Sequence, residues 1–272
     1  MNYRHGYHAG NFADVVKHIA LIAILMHLKK KEAPFAVIDT HAGCGSYDLS
    51  GEQAKKTGEA EGGIKRLRGL ASPLPPALAA YLEIEGQGAD YPGSPLVAAK
   101  LLRPADRLVA IEKHPEEAAL LRAVLAPWRK ASVEEGDGYA RLLKLLPPPE
   151  RRGLILIDPP FEAVDEFEQL ANAVRGAHRR FPTGITLIWY PIKAPGEAEA
   201  FVGEVLAGGA GAALTIEIAI DASPASDAKA RLSRAGLLVL NPPFGFAEEM
   251  AAILARLEPA LAARTKLESR AG

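Results

Sequence analysis

Cysteine is nearly absent: Cys44 stands alone in 272 residues. No disulfide can close within the chain, which excludes a disulfide-stapled fold and fits a reducing, cytoplasmic setting. Aromatic residues are scarce at 6 %, while alanine and leucine are abundant. No apolar run reaches the roughly 18 to 20 residues that span a bilayer, so no membrane partner is expected. The first residues, MNYRHGYHAGNFADVVKH, lack the basic-then-apolar pattern of a secretory signal. Excess charge is missing too, the net being −1. A surface that binds nucleic acid everywhere would be more basic, so any such contact must be local. Its candidates are Arg4, His5 and Lys17, the run Lys29 to Lys31, and the pairs Arg151–Arg152 and Arg179–Arg180. The lysine run equally suits a helix C-terminus, where cations meet the dipole. G-x-x-x-x-G-K-[ST] is absent, which argues against a P-loop nucleotidase, and the lack of G-x-G-x-x-G disfavours a nicotinamide cofactor. Without H-E-x-x-H or paired cysteines, the histidines His5, His8, His18 and His41 are not expected to hold a metal.

Apolar residues at 49 % and charged residues at 24 % describe an ordinary globular chain. The length suits one large domain or one domain with an insertion. Apolar residues from Val15 to Met26 recur at helical spacing, and Asp14 is the expected cap. FAVID (35–39) reads as a buried strand followed by the glycine turn THAGCGS. Residues 51–92 change character, with short helical pieces, glycines and clustered prolines but no convincing strand. They are expected to be an inserted helical subdomain within a main domain of 1–50 and 93–272. Beyond it, strands RLVAIE (107–112), a short one in 131–138, GLILID (153–158), ITLIWY (185–190) and LTIEIAI (214–220) are separated by helical stretches. GLLVL (236–240) comes last, before a helix over about 246–265. The alternation predicts a parallel α/β sheet. Between the last two strands, DASPASDAKARLSRA offers no clear crossover helix, so those two should pair antiparallel.

In open parallel sheets ligands bind beyond the C-terminal strand ends. Those ends carry Asp39 with His41, Gly43 and Gly45; then Glu112; then Asp137 and Gly138; then Asp158, Pro159, Pro160 and Phe161. An acid after the second strand can accept bonds from both hydroxyls of a ribose. D-x-x-x-G-x-G followed by such an acid is similar to the S-adenosylmethionine site of class I methyltransferases.

Two tetrapeptides compete for the catalytic role, DPPF (158–161) and NPPF (241–244). DPPF follows a parallel strand and shares a rim with the other acids. NPPF follows a strand expected to be antiparallel, so Asn241 should lie at the opposite end, its prolines merely stopping the strand. An adenine amino nitrogen is a poor nucleophile because its lone pair is delocalised into the ring. The Asp158 carboxylate and the Pro159 carbonyl can accept its N–H groups and localise that lone pair. Prolines add stiffness and no competing donor, and Phe161 offers a face for stacking the base.

YRHGYHAGNFADVVKH (3–18), DTHAGCGSYDL (39–49), YPGSP (91–95), RRGLILIDPPF (151–161), WYPIK (189–193) and NPPF together resemble the RlmJ family. That resemblance implies an enzyme that methylates N6 of an adenine in 23S ribosomal RNA with S-adenosylmethionine and no metal. It implies a Rossmann-like α/β fold: a mostly parallel seven-stranded sheet with an antiparallel last strand and a small helical insertion. It further implies that His18, His41, Ser94 and Glu112 bind the cofactor, as do Asp137, Gly138 and Asp158. Asp158 is also the implied proton acceptor, and Tyr3, Lys17, Pro159 and Phe161 contact the substrate. Many relatives carry tyrosine where this chain has Phe161, which keeps stacking and drops a phenolic hydroxyl. A monomer is expected.

Blander readings stand beside these. A histidine such as His18 on an apolar helix is often structural, and Ser94 between Gly93 and Pro95 suits a turn. DPPF recognises an amine and not a sugar, so DNA adenine or another amino group is a rival substrate. A non-catalytic RNA-binding module with a degenerate pocket is a second rival, opposed by the intact Asp39, Glu112 and Asp158.

Overall fold

The structure, a computed structural model, describes residues 5–209, 211–220 and 232–270. A short 3-10 turn, His5–Tyr7, leads into α1 (Phe12–Lys29), β1 (Ala36–Asp39) and β2 (Ser46–Asp48). Next come α2 (Glu52–Thr57), a 3-10 turn Glu59–Gly62, α3 (Ile64–Leu67), α4 (Pro76–Glu85), β3 (Asp90–Pro92) and α5 (Ser94–Leu101). The alternating part runs β4 (Arg107–Glu112), α6 (Pro115–Leu125), β5 (Ala131–Glu135), α7 (Gly138–Leu145), β6 (Gly153–Ile157), α8 (Glu166–Arg180) and β7 (Ile185–Pro191). The chain closes with α9 (Glu197–Ala207), β8 (Ala213–Ile220), β9 (Arg234–Leu240), α10 (Phe246–Leu261) and β10 (Ala263–Arg270).

The main sheet has the order β10-β8-β9-β7-β6-β1-β4-β5. The five strands β5, β4, β1, β6 and β7 are mutually parallel. β9 wedges between β7 and β8 and is antiparallel to both; its pairing with β8 is the one the missing crossover helix predicts. The weakly helical stretch expected between β8 and β9 falls mostly on 221–231, outside the described residues.

The sheet has eight strands where seven were expected. α10 stops at Leu261, Ala262 turns left-handed at φ 51, and the chain runs back along β8. ARTKLESR is too polar to read as a strand from hydrophobicity alone. Its charges suit an edge strand, where they deter pairing with another chain. A second small sheet pairs Ser46–Asp48 with Asp90–Pro92, so the segment 52–85 springs from a two-stranded stem and not from a bare loop.

Strand side chains alternate between two cores. Val37, Leu154 and Leu156 join the layer with α1, α4, α5 and α10; Ile38, Ile155 and Ile157 join the layer with α7, α8 and α9. Both faces are covered, which is why the parallel strands read as continuous apolar runs. Of the 18 residues of α1, 15 are buried. That helix packs against β6 and β9 on one side and against α4 and α5 on another, so the segment 52–85 covers what would otherwise be an exposed apolar face.

Candidate active site

The C-terminal ends of the parallel strands surround a cavity of about 420 Å³, within the range of small-molecule sites. Glu112 and Asp158 both line it, as do His18, His41, Ser94 and Gly138. Asp137 and Lys17 complete the set of expected residues on its wall. Tyr3 lies outside the described residues. Pro159 is buried and Phe161 half-buried; the cavity wall at that turn is Pro160. The Phe161 ring packs at 4.8 Å from Phe167 and 5.8 Å from Trp189, centroid to centroid. Asn241 sits at the far end of the sheet, because Leu240 pairs with Thr186 near the start of β7. Its amide donates to the carbonyls of Pro182 and Gly184, both at 2.8 Å.

Backbone donors fix the Glu112 carboxylate. Gly43 N–H donates to Oε2 at 2.8 Å and His114 N–H to Oε1 at 2.7 Å. Lone pairs remain on both oxygens, since a carboxylate offers about four acceptor sites. Asp39 does not reach the cavity wall. It sits directly behind it, accepting from Ser94 Oγ at 2.7 Å and from His41 N–H at 3.3 Å. Burial pushes its pKa up to about 6, and the nearby Asp158 adds to the rise against the Ser94 bond. His41 is held neutral, its pKa lowered to about 4 by burial, and its Nδ1 lies 2.8 Å from Thr40 Oγ1.

Asp137 caps α7 by accepting from Ala140 N–H at 3.1 Å, and Lys113 Nζ lies 3.0 Å away. Burial opposes ionisation there, but Lys113 and the capped N–H keep its pKa below the usual carboxylate range. Gly138 follows under a tight ceiling: a Cβ there would stand 2.2 Å from the Thr40 carbonyl oxygen. Only glycine lets the chain pass.

The other wall belongs to α1. Asn11 is the cap of this helix, its side chain accepting from the N–H groups of Ala13 and Asp14. The capping role expected of Asp14 is therefore corrected. Its carboxylate turns inward, accepting from Gly10 N–H at 3.0 Å and from Lys17 Nζ at 2.7 Å. Lys17 donates a second bond to Asp158. Burial alone would lower the lysine pKa, but Asp14 and Asp158 outweigh it and hold the ammonium charged. His18 points Nδ1 at the hydroxyl of Tyr91, 3.0 Å away, and Tyr91 lies 3.2 Å from Tyr81 in a buried chain.

Residues 6–11 lie along the segment 53–64. Thr57 Oγ1 donates to the Tyr7 carbonyl at 2.5 Å, and His8 Nδ1 and Asn11 Nδ2 both reach Glu59 at 3.0 Å. Ile64 N–H donates to the Gly10 carbonyl at 2.9 Å. Several cavity or supporting residues escaped the sequence reading. Tyr139 donates to Glu166 at 2.8 Å across the cavity wall. Neither sits in a motif; both read simply as helix-start residues. Tyr91 belongs to the YPGSP run, where nothing in its residue type marks it as a partner of His18.

Comparisons with known proteins place the chain in a family. The family model described as "Ribosomal RNA large subunit methyltransferase D, RlmJ" matches residues 32–270. The chain belongs to the RlmJ family. Ribosomal RNA large subunit methyltransferase J of Escherichia coli (strain K12) is 40% identical over 260 residues, covering 93% of this chain and 91% of the relative. Its counterpart in Haemophilus influenzae is 38% identical over 268 residues, covering 96% and 94%. A crystal structure of a Legionella pneumophila protein superimposes with a TM-score of 0.88 at 33% identity, covering 96% of this chain and 98% of that one. A probable spermidine synthase from Corynebacterium glutamicum, 14% identical with a TM-score of 0.53 over 94% of this chain and 75% of that chain, shares the fold alone. Membership of the RlmJ family makes the protein a methyltransferase of the RNA-modifying kind. No helix among the described residues is long and apolar enough to cross a membrane.

Proposed function

We propose that this protein transfers a methyl group from S-adenosylmethionine to the N6 amino group of an adenine in 23S ribosomal RNA. One observation carries the reading: Glu112 and the DPPF aspartate Asp158 face a common cavity at the C-terminal lip of the sheet. Family membership gives the substrate class, since the relatives are named for large-subunit ribosomal RNA.

The chain fits the cofactor. Glu112, with both oxygens pinned by backbone N–H groups, holds the ribose hydroxyls. Asp137 and the narrow passage at Gly138 hold the adenine end, and His18, His41 and Ser94 line the remainder. S-adenosylmethionine, when bound, supplies a methyl group on a positively charged sulfonium.

Asp158 accepts an N–H of the target amine and localises the nitrogen lone pair toward the methyl carbon, and Pro159 offers its carbonyl for the second N–H. On methylation, N6 must give up one proton. Asp158 receives it and passes it to solvent. Positioning and electrostatics carry most of such catalysis. A base inside a duplex must first be extruded or arrive unpaired.

Mass mapping of methylated adenines in ribosomal RNA from cells lacking the protein tests this reading. One N6-methyladenine is expected to vanish from 23S RNA and to return on adding the purified protein. Methylation of matched DNA but not RNA in the same assay would overturn the substrate.

A further inference from the structure

The geometry points to Asp14 as a positioning residue that acts on Asp158 through the Lys17 side chain it shares. The inference rests on the reading that this cavity methylates an adenine amine, and it adds a residue that no DPPF or cofactor motif contains.

Three charged groups meet in a buried row. Lys17 is 4 % exposed, Asp14 3 % and Asp158 14 %. One ammonium serves two carboxylates, Asp14 and Asp158. Asp14 has its second oxygen held by a backbone N–H, that of Gly10, and Asp158 accepts no such bond among the described residues. Gly10 is fixed in turn, because its carbonyl accepts from Ile64 N–H. A Cβ on Gly63 would come within 2.0 Å of that same carbonyl, so the two backbones are in direct contact. Asp14 is therefore the anchored end of the row, and Asp158 is the end that opens on the cavity.

The electrostatic consequence follows from this asymmetry. An ammonium paired with Asp158 alone would neutralise it and compete with the substrate amine for its lone pairs. Asp14 takes part of the Lys17 charge and leaves Asp158 anionic toward the cavity. Positive charge develops on the attacking nitrogen as the methyl group moves, and an Asp158 carboxylate whose ammonium is shared with Asp14 stabilises it most in the transition state. Asp14 should therefore support turnover and not cofactor binding as such.

The test is Asp14→Asn, which is isosteric and keeps an acceptor for the Gly10 N–H. The expected result is a kcat lower by roughly tenfold, with KM for RNA unchanged and affinity for S-adenosylhomocysteine, which lacks the sulfonium charge, within about twofold. The same substitution is then made in a Lys17→Met background under single-turnover conditions. With the intermediary gone, it should lower the rate no further, because a residue that acts through another loses its effect when that one is removed. An unchanged kcat in Asp14→Asn, or a full tenfold loss that persists in the Lys17→Met background, overturns the role. If Asp14→Asn does not fold, Asp14→Glu and Asp14→Gln have the same length and differ in charge. The Glu variant must be the more active, and equal rates overturn the proposal. Wild-type protein that transfers no methyl group to RNA refutes the underlying reading; active wild type beside an equally active Asp14→Asn refutes Asp14 alone.

Discussion

Lys17 donates to Asp158 across 141 residues of sequence, joining the first helix to the turn after β6. The bond makes unequal partners. Removing the lysine takes from Asp14 and Asp158 the ammonium they share. Removing Asp158 leaves Lys17 still paired with Asp14.

The prediction is a split between stability and activity. Asp158→Asn and Asp158→Ala should abolish methyl transfer while folding normally. Lys17→Met should lower transfer sharply, to a rate still measurable in a single turnover, and also destabilise the fold by about 3–5 kcal/mol, the cost of stranding buried charge. Thermal melts beside a methylation assay separate the two. Full activity in a folded Asp158→Ala removes Asp158 from the mechanism, and equal melting temperatures for Lys17→Met and wild type would show that the row carries no buried cost.

Asp39 predicts a pH effect with a definite sign. Its folded pKa is pushed up to about 6 from an ordinary 3.8. A carboxyl raised in this way contributes stability that is complete below about pH 4 and is lost as pH rises through 6. Asp39→Asn, which cannot ionise, should therefore melt higher than wild type at pH 7, and the gap should close near pH 4. The same variant should bind S-adenosylmethionine roughly tenfold more weakly at pH 7, because the charge behind Ser94 and His41 is gone. Wild-type affinity should likewise fall as pH drops below 6. Calorimetric titration at pH 5 and pH 7.5 checks both, and a pH-independent affinity would exclude Asp39 from cofactor binding.

Gly138 predicts a specific loss. In Gly138→Ala the new methyl meets the Thr40 carbonyl at 2.2 Å and the His41 ring at 3.2 Å. Backbone must shift where Asp137 and His41 line the cavity, so cofactor affinity should fall by more than tenfold, while RNA binding measured without cofactor stays the same. Retained cofactor affinity would show that this stretch does not frame the ligand.

Much of this architecture was legible because apolar runs and strand-end acids obey short-range rules. FAVID and GLILID read as buried strands, and the acids after them fell on one rim. The antiparallel β9 was legible from the lack of a crossover helix. What escaped depends on contacts distant in sequence. β10 is stabilised by backbone pairing with β8 at an edge, which leaves no apolar signature. Asp14 carries the residue type of a cap, but Asn11 takes the cap three residues earlier, and only the fold shows Asp14 facing Lys17. Tyr91 and Tyr81 look like ordinary core residues until His18 is found against them.

Asn241 provides the control for the choice between the two tetrapeptides. Its φ is 53°, a conformation that asparagine tolerates better than alanine. Its amide ties down the carbonyls of Pro182 and Gly184 before β7. Asn241→Ala should lose these bonds and strain the backbone, costing about 1–3 kcal/mol and lowering the melting temperature by several degrees. Asn241→Gly, free of the strain, should lose less. Neither should change kcat, because this turn lies at the opposite end of the sheet from Asp158. A large drop in methyl transfer at an unchanged melting temperature would mean that NPPF, and not DPPF alone, serves the reaction.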